Sequence, residues 1–79
     1  MDITSLSNEI LKHLVLEFRN NDKPGLPFEE IQNAFQGVSD TDLIKAISIL
    51  TSKRYVKPFE ADNIPYFVTL NQLGINAVE

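Results

Sequence analysis

The sequence predicts one small α+β domain in which three helices precede a two-stranded β-hairpin and a short closing helix. Three observations carry this expectation. Apolar residues recur at helical spacing through residues 3–52. After Lys53-Arg54 the pattern changes, and aromatic and β-branched residues cluster as they do in strands. The chain's 79 residues supply material for a single hydrophobic core, so residues 1–79 are expected to form one domain.

The first helix is expected over residues 3–20. Ile3, Leu6, Ile10, Leu11, Leu14 and Phe18 fall on one stripe at 100° per residue, with Lys12, Arg19 and Asn20 opposite. The polar run Asn20-Asn21-Asp22-Lys23-Pro24-Gly25 ends it. Leu26-Pro27 reads as a short extended link. Pro27 then leads into a second helix whose first turn carries Glu29 and Glu30, favourable at the positive end of the helix dipole. Phe28, Ile31, Ala34 and Phe35 are spaced to share its inner face, and Gly37 stands where a left-handed residue ends such a helix.

Ser39-Asp40-Thr41-Asp42 has the form of a capping box, with Asp42 in place of the usual glutamate. It starts a third helix at about residues 40–52, with Leu43, Ala46, Ile47 and Leu50 inward. Residues 55–59 and 66–70 are the expected strands, joined through a tip at Asp62-Asn63. In this arrangement Tyr55 would face Tyr66. Pro58 and Pro65 lack an N–H and belong at a sheet edge or a strand end. The five phenylalanines, Phe18, Phe28, Phe35, Phe59 and Phe67, are expected to pack inward. Asn71 is suited to cap a last helix over residues 72–79.

The composition argues against several functions. With no cysteine there is neither a disulfide framework nor a thiolate metal site. The one histidine, His13, lies beside Glu9 and Glu17 on the first helix and reads as a surface residue rather than a ligand. No set of nucleophile, base and orienting group can be assembled, and the three glycines stand far apart. The chain is therefore expected to be non-catalytic, with no metal and no cofactor. No basic segment precedes an apolar one near residue 1, and the longest apolar run is Leu14-Val15-Leu16. A cytoplasmic protein with no membrane contact is the expectation.

Helix, extended link, helix, four-residue turn, helix and hairpin is an order that resembles the winged-helix superfamily over nearly the whole chain. Residues 28–35 look like its second helix and residues 39–50 like its third, the recognition helix. Lys53-Arg54-Tyr55-Val56 looks like the turn into the wing, with Arg54 where a glycine is common. Val68-Thr69-Leu70-Asn71-Gln72-Leu73-Gly74 is similar to the strand-to-helix closing segment of small bacterial winged-helix regulators, with its residues in a different order.

The resemblance implies DNA binding through the third helix, and with it a role in transcription regulation. The outward positions Thr41, Lys45, Ser48, Ile49 and Ser52 would meet bases and phosphates, and Lys53, Arg54 and Lys57 would meet phosphates at the start of the wing. The charge balance opposes this, because eleven Asp and Glu against seven Lys and Arg leave a net charge of −4. Residues 39–69 hold four acids (Asp40, Asp42, Glu60, Asp62) and four bases, so the expected reading surface is neutral in a chain that is acidic elsewhere. The alternative is a protein-interaction module on the same fold. It would use Leu16 and Ile49, two apolar residues that fall outside the inner stripes, to meet a second copy or another protein.

Overall fold

Asp2 begins the first helix, α1 (Ile3–Asn21), by accepting a 2.7 Å hydrogen bond from the Ser5 amide on its carboxylate. That bond, more than any other influence, holds the Asp2 carboxyl below its ordinary pKa. The helix ends at Asp22, which adopts the left-handed conformation at φ 55° and donates its N–H to Phe18 O. The computed structural model describes residues 2–78. Residue 79, the expected last residue of the closing helix, lies outside them.

The expected link at Leu26-Pro27 is a strand. β1 (Gly25–Pro27) pairs antiparallel with the second hairpin strand, matching Gly25 to Thr69, Leu26 to Val68 and Pro27 to Phe67. The sheet therefore has three strands rather than two. Three residues are too few to show an alternation, which is why the pattern reads as a link. α2 (Phe28–Ala34) follows without a side-chain cap, and it buries Phe28 and Ile31. Ala34, expected inward, is exposed, and Phe35 already leaves the helix at φ −122°. Gly37 takes a positive φ of 91° in the turn.

α3 (Asp40–Ser52) starts as expected, with Ser39 Oγ accepting from the Asp42 amide at 3.2 Å. Gln32 Nε2 reaches across from α2 to Asp40 Oδ1 at 2.9 Å and so ties the two helices together at the turn. The hairpin is β2 (Val56–Ala61) and β3 (Ile64–Leu70), and strand order is β1-β3-β2. Asp62 and Asn63 both have positive φ, 53° and 65°, at the two-residue tip between paired Ala61 and Ile64. This is the turn type whose twist matches a hairpin.

Both prolines obey their lack of a donor. Pro58 sits on the edge strand β2, and Pro65 lies near the start of β3 beyond the reach of β1. The register slips between Phe59 and Glu60, leaving Tyr66 as an unpaired bulge residue. Tyr66 consequently does not face Tyr55, which precedes β2. Phe59 pairs with Phe67 but is 41% exposed, so it is no core residue.

The last helix is α4 (Gln72–Val78). Among the described residues the protein is a small α+β fold of four helices and a three-stranded antiparallel sheet. Its core joins Ile10 and Leu14 of α1, Leu26 of β1, Ile31 of α2, Leu43 and Leu50 of α3, and Val56 and Val68 of the hairpin. Ser7 is the one fully buried polar side chain among them, satisfied by donating to Thr4 O at 2.7 Å. No helix among the described residues is long and apolar enough to cross a membrane.

Candidate nucleic-acid interface

Helical periodicity fixes which side chains α3 shows to solvent. With Leu43, Ala46, Ile47 and Leu50 buried, Thr41, Lys45, Ser48 and Ser52 are exposed, while Ile49 is only half-buried. Ser52 spends its hydroxyl proton on Ile49 O at 2.7 Å and is left as an acceptor. Lys53, Arg54 and Lys57 are exposed where the chain leaves α3 for β2. Seven of the eight expected contact residues are thus exposed and Ile49 is half-buried, but Lys57, next to buried Val56, lies on the sheet face turned away from α3.

The four cations among these residues are distinguished by what they do not touch. Lys12 pairs with Glu9 at 3.7 Å, and Lys23 lies 3.9 Å from Glu17 and 3.7 Å from Glu30. Among the described residues, Lys45, Lys53, Arg54 and Lys57 form no ion pair. Lys53 and Lys57 instead lie over aromatic rings, 6.0 Å from the Tyr55 centroid and 5.7 Å from that of Phe59.

Arg54 occupies a backbone position that suits glycine. Its φ is 62°, and the N–H groups of Arg54 and Tyr55 bond back to Thr51 O and Leu50 O, both at 3.0 Å, closing α3 in a Schellman motif. A non-glycine residue there costs about 1–2 kcal/mol, partly offset by the greater freedom glycine loses on folding. Arg54→Gly is expected to raise stability by roughly 0.5–1 kcal/mol, read as a higher urea midpoint. A lower midpoint would mean that the guanidinium makes a stabilising contact.

Glu60, one of the four acids expected on this surface, lies deeper than the hairpin tip. It lines a cleft of about 250 Å³ between α3 and the hairpin, together with Ile44, Ser48, Thr51, Pro58 and Pro65. Strand alternation determines that placement: β2 runs on to Ala61, past the expected strand end at Phe59, and puts Glu60 on the same side as Val56 and Pro58. Asp62 stays at the exposed tip, as expected.

Leu16 is 55% exposed and lines an open groove of about 400 Å³ with Val15, His13, Phe35 and Val78. Ile49 is not part of that groove, so the two expected interface residues do not share it. His13 is half-buried rather than a plain surface residue, its ring edge-on to Phe35 at 5.9 Å and 84°. Among the described residues no three His, Cys, Asp or Glu side chains converge as metal ligands would. Comparison with protein-family models, with curated proteins and with solved structures returned no significant match.

Proposed function

We propose that the chain is a winged-helix domain that binds double-stranded DNA, with α3 as the reading helix and the β2–β3 hairpin as the wing. One observation carries the reading. The four bases of residues 39–69 are all exposed and, among the described residues, free of carboxylate partners, in a chain whose acids outnumber its bases. Exposed cations without carboxylate partners, on the helix and at the start of the wing, are what phosphate neutralisation requires. The order of elements and the short α2–α3 turn support the same reading, and a regulatory role in transcription is its natural extension.

Glu60 favours the rival reading, a protein-interaction module. A carboxylate in the cleft beside Ser48 lies where a phosphate would approach, and like charges about 4 Å apart repel by roughly 1 kcal/mol in water. The groove at Leu16 supplies that rival with an apolar surface.

Fluorescence anisotropy of a labelled mixed-sequence duplex separates the two. The expected result is affinity that falls log-linearly with salt. Lys45→Ala and Lys53→Ala should each reduce the slope by about 1, and Glu60→Gln should strengthen binding. Absence of binding at about 20 mM salt would leave the interaction module as the better account.

A further inference from the structure

We propose that the helix-free face of the sheet is a second nucleic-acid site, one that stacks the unpaired bases of a single strand on Phe59 and Tyr66. The sheet's alternation decides what this face carries. Val56 and Val68 are buried against the helices, which turns Lys57 and Phe59 to the other side, opposite Thr69 and Phe67. Phe67 forms the floor, its ring lying over Gly25 so closely that an added Cβ there would stand 2.8 Å from Phe67 Cε2. Phe59 is 41% exposed, and Tyr66, released from pairing by the bulge, is 58% exposed. Large rings on a small protein are normally buried, so two bare ones on a single hairpin need a reason.

Charge selects the occupant. Lys57 Nζ sits 5.7 Å from the Phe59 ring centroid and has no carboxylate partner among the described residues, and Lys53 and Arg54 stand at the entrance to the same strand. Glu60 lies on the opposite side, in the cleft against α3. Flat rings interleaved with free cations match stacked bases and their phosphates, a combination that tolerates any base sequence. The exposed parts of Phe59, Tyr66 and their neighbour Ile64 sum to roughly 300 Å², well below the 800 Å² or so per partner of a stable protein interface. In a duplex the base faces are already stacked, so the occupant is an unpaired strand.

This site shares cations with the proposed duplex surface but does not rest on it, and one set of titrations distinguishes them. The probes are a labelled single-stranded DNA of roughly 12 nucleotides, an abasic strand of equal length and a duplex. The expected result is that the single strand binds and the abasic strand binds at least fivefold more weakly. Phe59→Ala and Tyr66→Ser should each weaken the single strand by a similar factor and leave the duplex unchanged, while Lys45→Ala does the reverse. The chain has no tryptophan and two tyrosines, so quenching of tyrosine emission by the single strand, lost in Tyr66→Ser, reports stacking directly. Equal binding of the abasic strand would overturn the proposal, as would single-strand binding indifferent to both substitutions.

Discussion

Leu43→Ala is expected to destabilise the protein by about 3 kcal/mol, within the 2–5 kcal/mol typical of a leucine truncated in a closed core. Leu43 is fully buried and is the first inward residue of α3, in one cluster with Ile10, Leu14 and Ile31 of the two helices that hold α3 in place. The cost has two parts, the lost transfer of the removed atoms from water and the cavity that a tightly packed neighbourhood fails to refill. It is large against the whole. At about 0.05–0.15 kcal/mol per residue, a chain of this length has roughly 4–12 kcal/mol in total. Urea denaturation should show a much lower midpoint at unchanged slope. Leu16→Ala, at a site 55% exposed, should move the midpoint within about 0.5 kcal/mol of the unsubstituted protein. A loss below about 1 kcal/mol at Leu43 would mean that α3 is not seated on this core.

Gly74→Ala carries the second large effect, and its sign runs against helix propensity. In the interior of α4, alanine would ordinarily gain about 1 kcal/mol over glycine. Gly74, however, is pressed onto the Tyr55 carbonyl. A Cβ added there would collide with Tyr55 O and stand 3.1 Å from both Tyr55 C and Leu70 Cδ1. The Tyr55 oxygen cannot retreat freely, because it accepts from the Asn71 amide at 2.9 Å. Overpacking against backbone costs about 1–3 kcal/mol or more, so a net loss of roughly 1–2 kcal/mol is expected, measured by the same denaturation. The substitution should also disturb the neighbouring turn. Asn71 Nδ2 holds Arg54 O at 3.1 Å, so a displaced α4 shifts the turn that presents Lys53 and Arg54. Gain of stability would show that α4 docks differently.

Much of this architecture was legible because it depends on local signals. The stripe Ile10, Leu11, Leu14 and the cap at Ser39 each settle within a turn or two of helix, and both are found where the sequence places them. The tip at Asp62-Asn63 is equally local, since tolerance of positive φ belongs to those residue types. What stayed hidden depends on pairing across the chain. β1 is a strand only because residues 67–69 lie beside it, and Tyr66 stands unpaired because of a one-residue slip in β3. The outward residues of α3 could be named from periodicity alone. The seat of Glu60 in the α3 cleft stayed hidden because the expected strand stopped at Phe59, whereas β2 continues to Ala61.

The pairing of Gly25 with Thr69, reinforced by the Leu70 amide donating to Pro24 O at 2.8 Å, has a kinetic consequence. The helices and the hairpin can each organise from neighbours in sequence, but this seam closes a loop spanning more than half the polypeptide. Closure of so long a loop gives back little until its last contacts form, so the seam is a late event in folding and an early one to part. Amide protons of β1 should therefore exchange with solvent ahead of those in the middle of α1.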